Sequence, residues 1–401
     1  MPRTTTPQAQ GPHTHHGSLP RDVRLDFFRG LAMFIIFMAH MPRNPWNDWI
    51  PARFGPSDAT EIFVFCSGFA SSIAFGGTFA RHGFAIGTFR ILHRCWQVFW
   101  SHIGLFWVVL AITIVATAAT GIDYLHEMNL RHFLAEPERG VVGLLTLTYV
   151  PNYFDILPMY LVALALVPLM VGLARISPWL AMAASGLIYL AEWTVGLDLP
   201  AEWWSDRSWF FDPFGWQFLF FTGFAFGSGW LPEPLRDRRL LWACVAFVLV
   251  MVPLNWAPIW SRYDWLDWFS LQFVPWKDKS HFGILRWVHF LALAYVALWI
   301  VNGRPDLLRS PAVRPIVRVG QQALAVFLWS MAFAWTMGIL LDQIGRNALT
   351  ITAANLIGFA SLVGVAYLAG FVKEQPWRRR EGRVRLHLGH EHAGALAVPG
   401  E

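Results

Sequence analysis

RDVRLDFFRGLAMFIIFMAH, residues 21–40, decides the fold of this chain. Its middle is unbroken apolar sequence from Leu31 to Ala39, with Arg29 just before it and His40 just after it. A helix needs roughly 20 mostly apolar residues to cross the hydrocarbon core of a bilayer, so the stretch reads as a transmembrane span. Ionisable groups inside or bordering such a span are costly and mark a site by default. Arg29 and His40 stand eleven positions apart. At 100° per residue they differ by only about 20° in azimuth and by about 16 Å along the axis. One helix face therefore carries a guanidinium towards one side of the membrane and an imidazole towards the other.

Outward from this span, similar apolar stretches fall near 25–41, 60–79, 96–120, 156–174, 178–197, 213–231, 240–256, 283–301, 321–341 and 351–372. The expectation is an all-α integral membrane protein with about ten transmembrane helices. The piece 141–150 is apolar but too short to cross and reads as interfacial or re-entrant. Ten crossings put both termini on one side, and the basic residues choose which. With the N-terminus inside, 21 of the 31 Lys and Arg fall inside and 9 outside, with Arg286 alone within a span. This bias predicts cytoplasmic N- and C-termini.

The composition agrees. Of 401 residues, 55% are hydrophobic and only 14% charged, and the mean hydropathy is +0.42. A soluble domain usually carries about 25% charged residues. The net charge of +5 sits mostly in short loops and tails, so it reports topology rather than nucleic-acid binding. Residues 1–20 are polar and rich in Pro, Gly and His, lack a signal-peptide stretch and read as a disordered tail; His13, His15 and His16 read there as solvated side chains. Residues 21–375 form the membrane domain, and 376–401 a basic cytoplasmic tail suited to an anionic inner leaflet. Cys66, Cys95 and Cys244 have no metal-ligand spacing and read as packing residues, so no metal is expected. No G-x-x-x-x-G-K-[ST] phosphate loop occurs, which argues against an ATP-driven pump.

Several polar residues within or beside the apolar stretches are candidates for chemistry. His40 has a side chain suited to general-base work on a hydroxyl, or it is an interfacial polar residue. Asp58 and Glu61, at i and i+3, could orient His40 or an acceptor hydroxyl, or cap their helix. Asn152, Tyr153 and Asp155 cluster between Pro151 and Pro158 at the outer end of the fourth span, where irregular backbone is tolerated if it lines a cavity. Arg286 and His289 share a face of the eighth span. Arg286 would contact an anionic donor group or pair with an acid such as Asp155. The predicted outside loops hold Trp beside acids and amides, a combination that suits a sugar as well as an aromatic belt. Ser67 reads as a small packing residue rather than a nucleophile.

RLDFFRG followed by ten residues and His40 resembles the first-helix signature of the membrane acyltransferase-3 superfamily. EIFVFCSGF (61–69) resembles that superfamily's apolar run ending in Ser-Gly-Phe, and TFRILHR (88–94) is similar to its cytoplasmic paired-arginine motif. Within the superfamily, TLTYVPNYFDILPMYLV (146–162) and the Trp-rich character most resemble OpgC proteins. The resemblance implies a bacterial inner-membrane, multi-pass transferase that moves succinyl groups from cytoplasmic succinyl-CoA to hydroxyls of an osmoregulated periplasmic glucan. His40 carries over as the catalytic residue, Arg29 as its motif partner, and Arg90 and Arg94 as donor contacts. Lipid, acyl-CoA as co-substrate and a glycan acceptor are then the partners, with no permanently bound cofactor. A small-anion or sugar transporter and a receptor or scaffold are the rival readings. The absence of a second copy of the 25–94 pattern counts against the transporter.

Overall fold

The computed structural model describes residues 22–377, so the expected tails at 1–20 and from 378 onward lie outside the described residues. The first span is helix α1, Val23–His40, begun by Asp22, whose carboxylate accepts from the Arg24 amide. The second span is broken into α2, Ala59–Ser71, a π-helical turn over Ser72–Gly76, and the start of α3, Gly77–Thr120. Gly83, at φ 83°, interrupts α3 in the left-handed region that glycine tolerates. The chain folds back there, and Arg175 meets the hairpin with its guanidinium 5.2 Å from the Phe84 ring. The third apolar segment therefore belongs to a helix that resumes just after Gly83, earlier than the sequence reading from 96.

The remaining long helices are α4 Pro137–Thr146, α5 Ile156–Ala174, α6 Pro178–Val195, α7 Pro213–Gly227, α8 Arg238–Asn255, α9 Asp264–Gln272, α10 Ile284–Asn302, α11 Arg314–Gln321, α12 Ala323–Ile344 and α13 Ala348–Glu374. Each apolar stretch read from the sequence falls on helix. The ten-residue α4 covers much of the piece judged too short to cross. Among the described residues the only strand-like pairing is an isolated bridge between Pro200 and Ser208.

By length and composition, six segments among the described residues are long and apolar enough to cross a membrane: 59–120, 156–174, 238–255, 284–302, 323–344 and 348–374. The first is 62 residues and holds the Gly83 break. Large apolar side chains such as Trp96, Leu187, Trp242 and Leu368 remain exposed along these and neighbouring helices, which lipid explains and water does not. This is an all-helical membrane protein.

Lipid tails are as apolar as the side chains they touch, so burial alone does not drive helices together within a bilayer; close packing at small residues does. Gly68 and Gly223 let α2 and α7 meet backbone to backbone: a Cβ on Gly68 would overlap the Phe220 carbonyl, and one on Gly223 the Phe65 carbonyl. The Ser-Gly-Phe triplet contributes Gly68 to this contact. Gly30 of α1 and Gly320 of α11 form a second such crossing, against the carbonyls of Ile316 and Asp26. The second crossing fixes the helix that carries Arg29 and His40.

Candidate functional site

His40 ends α1. Its Nδ1 lies 2.7 Å from the Ile36 carbonyl. A carbonyl only accepts, so Nδ1 carries the proton in the neutral ring and Nε2 keeps its lone pair. The Tyr153 ring stands edge-on to the imidazole, 5.7 Å between centroids. Tyr153 itself sits at φ 71°, left-handed backbone that a residue with a Cβ adopts at a cost. Its side chain is 41% exposed, so the strained residue presents a ring to open space beside His40.

The neighbours of Tyr153 point elsewhere. Asn152 donates to the Glu127 carbonyl at 3.1 Å. Asp155, 3% exposed, accepts from the Phe210 amide at 2.9 Å. Burial lifts the Asp155 carboxyl to about 6, against the lowering effect of that hydrogen bond. Together these bonds pin the segment before α5 on both sides of Tyr153.

The second group of predicted residues forms one charged cluster at the start of α2. Asp58 caps the helix: its carboxylate accepts from Thr60 at 2.6 Å, and Glu61 reaches back to the Asp58 amide at 2.7 Å, a complete capping box. Both acids do more than cap. Arg286 donates through Nε to Glu61 at 2.6 Å, and its Nη2 stands 3.6 Å from Asp58. Lys279 donates to Asp58 at 2.6 Å. The expected partnership of Arg286 with Asp155 is therefore not formed; α10 faces the start of α2 instead. One turn further along α10, His289 Nδ1 meets the Ser57 hydroxyl at 2.7 Å, and Gly55 lies flat against the ring.

Glu61 is fully buried and Arg286 is 5% exposed. Two such charges survive away from water only as a hydrogen-bonded pair. Burial alone would raise the Asp58 carboxyl, but the charges of Lys279 and Arg286 outweigh it and hold it well below the usual carboxylate range. Asp58 therefore stays an acceptor. A cavity of about 370 Å³ opens over this cluster, lined by Asp58, Lys277, Asp278, Lys279, Arg286 and Asn255 among others. Its wall alternates hydrogen-bond donors and acceptors. Lys279 and Asp58 also act electrostatically on His40, which ties the cavity to the imidazole. Sequence reasoning missed Lys277 and Lys279; the only signal was a Lys-Asp-Lys run in a Trp-rich loop.

Arg29 gives Nη2 to the Cys66 carbonyl at 2.8 Å, and its buried Nε has no partner. It thus sits against the middle of α2, deeper than either helix end. Arg90 and Arg94 lie elsewhere, on the hairpin beyond the π turn. Arg90 bonds the Thr78 hydroxyl and stacks 5.6 Å over Phe75, while Arg94 meets Gln97 at 3.2 Å. The structure brings His40 together with Tyr153 and within electrostatic reach of Asp58 and Lys279, and places Arg29 against α2 and the Arg90–Arg94 tier apart from it on the hairpin.

The sequence profile of the family described as OpgC protein matches residues 21–374, nearly all of the chain. The chain belongs to the OpgC family. No curated protein and no solved structure shows significant similarity to it. Membership in the OpgC family points to an acyltransferase role in glucan modification.

Proposed function

We propose that the chain is a membrane O-acyltransferase of the acyltransferase-3 type, taking an acyl group, succinyl by resemblance, from cytoplasmic acyl-CoA to a hydroxyl of a periplasmic glucan. The observation that carries this reading is the His40 geometry: Nδ1 occupied by Ile36, Nε2 free, beside an exposed, strained Tyr153. In this reading Nε2 accepts the proton of an acceptor hydroxyl as the oxygen attacks the thioester carbonyl. The tetrahedral species then expels the CoA sulfur, which leaves as the thiol with the proton returned by His40. The positive charge of Lys279, acting on the same region, stabilises the negative charge that develops on the oxyanion.

The cavity over Asp58 is the acceptor subsite in this proposal. A sugar ring offers hydroxyls that both donate and accept, which matches a wall of Asp58, Asp278 and Asn255 alternating with Lys277 and Lys279. Arg286, already held by Glu61, acts as a positioning residue for the two acids rather than as a donor contact. Arg29, with a free buried Nε, and the Arg90–Arg94 tier lie along the donor's approach from the cytoplasm. The ten crossings, both termini cytoplasmic and the inner membrane as location belong to the same proposal; the positive-inside bias supports them.

The test compares wild type with His40→Ala in membranes given labelled succinyl-CoA and a glucan. Transfer by wild type and a loss of at least about 100-fold in the variant is the expected result. Equal transfer by both removes His40 from the chemistry. No transfer by either, with several acyl donors and folded protein, turns the reading to a transporter.

A further inference from the structure

A second cavity, of about 300 Å³, lies at the opposite end of α1, lined by Leu308, Arg314, Val317, Arg318, Gln321 and Tyr367. Two guanidiniums, an amide and a phenol face it, and no carboxylate is among them. The Arg314 side chain is exposed, and its guanidinium has no ion-pair or hydrogen-bond partner among the described residues. Arg318 is held in place from several sides. Its Nη2 meets Glu374, which is outside the lining, at 2.9 Å; its Nη1 meets Gln321 at 3.3 Å; and its guanidinium carbon lies 5.9 Å from the Tyr367 ring. Gly370 lies under this guanidinium, where any Cβ would overlap it. The remaining donor, Nε, is buried and unpartnered. Positive-inside topology accounts for arginines at this end, but not for a cavity between them or for a buried guanidinium nitrogen without an acceptor.

From this arrangement we infer that the cavity between α11 and α13 is a binding site for a phosphate ester. A phosphate offers several charged acceptors at once and is matched by paired, fixed guanidiniums better than by single ammonium groups. The α11 helix crosses α1 at Gly320 and Gly30, one residue from Arg29, so an occupant of this site bears on the helix that carries the proposed donor contact and His40. Two sources share the chemistry. One is the nucleotide end of the acyl carrier, an arm that rests on the acyl-CoA reading above; the other is the headgroup of an anionic lipid, which does not.

The experiment uses the full-length protein in nanodiscs of phosphatidylcholine, titrated with adenosine 3′,5′-bisphosphate, and in parallel in nanodiscs containing phosphatidylglycerol. Binding is read by calorimetry, and lipid effects by thermal unfolding. Arg314→Gln removes an exposed, unpartnered side chain and leaves the fold intact; Arg318→Lys keeps the charge but loses the fork. Saturable bisphosphate binding that weakens about tenfold in Arg314→Gln establishes the site with the carrier as its source. Stabilisation by phosphatidylglycerol alone, lost in both variants, establishes it with lipid as the source. No response of wild type to either probe, or equal responses of wild type and both variants, overturns the inference. Absence of acyl transfer in the His40 experiment removes the acyl-transfer reading alone, whereas the phosphate site stands or falls on these binding responses.

Discussion

Asp155 shows how a single side chain holds the His40 neighbourhood in shape. Its carboxyl titrates near 6 in the folded protein against 3.8 when unperturbed, because burial disfavours the charge. Below about pH 3 it is protonated in both states. As pH rises through the interval from 4 to 6, the unfolded chain ionises first, so folding stability falls, and above about 6 the loss is complete. Its ceiling is about 3 kcal/mol. Asp155→Asn keeps an oxygen to accept from the Phe210 amide and removes the charge. The variant is expected to melt higher than wild type at pH 7.5 and to lose nearly all of the difference at pH 3.5. A variant that melts lower at pH 7.5 would mean that the ionised carboxylate is what holds the turn. Tyr153 and Asp155 were both legible in the sequence as a polar cluster between prolines, but their division of labour was not. Which of these two side chains faces His40 depends on a left-handed backbone angle at residue 153, and no residue-type preference announces one at a tyrosine.

At the scale of elements, the crossing of α1 and α11 decides where Arg29 and His40 stand. Gly320 has the Asp26 carbonyl where a Cβ would go, and Gly30 has that of Ile316. Gly320→Ala is therefore expected to destabilise the protein by about 1–3 kcal/mol, since neither backbone can yield without shifting its helix. Melting of the purified variant measures this, with Gly104→Ala, a position with open space at its Cβ, as the control. A Gly320→Ala protein as stable as the control would show that α11 moves freely over α1. The spans themselves were readable, because length and apolar content suffice to mark them. The reversal at Gly83 falls in the stretch between the second and third apolar segments, but the restart of the helix immediately after it and the break at Gln322 were not readable, since neither residue type announces where a helix resumes.

For the whole molecule, the two cavities lie at opposite ends of α1. The proposed topology makes one periplasmic and the other cytoplasmic. Asp206→Cys and Asp306→Cys, both at exposed positions and introduced into a background lacking Cys66, Cys95 and Cys244, test it by labelling in intact cells. A membrane-impermeant maleimide is expected to reach residue 206 from outside and residue 306 only after the membrane is opened. Labelling of both from outside would break the ten-span arrangement, and with it the separation of donor and acceptor sides.

That this chain is an all-helical membrane protein, roughly where its helices run, and that Arg29 and His40 share a face are all legible from the order of residues. Those properties follow from composition along a single helix and from the 100° turn per residue, which no neighbour changes. The partners of Arg286 were decided only by tertiary structure. Glu61 and Asp58 are more than 220 positions away in the chain, and the sequence equally allowed Asp155. Within a bilayer the pairing of helices follows from close backbone contacts at small residues, and Gly68, Gly223, Gly30 and Gly320 carry no label saying which carbonyl each will meet. Only once those contacts form do Lys279, Asp58 and His40 come within electrostatic reach of one another.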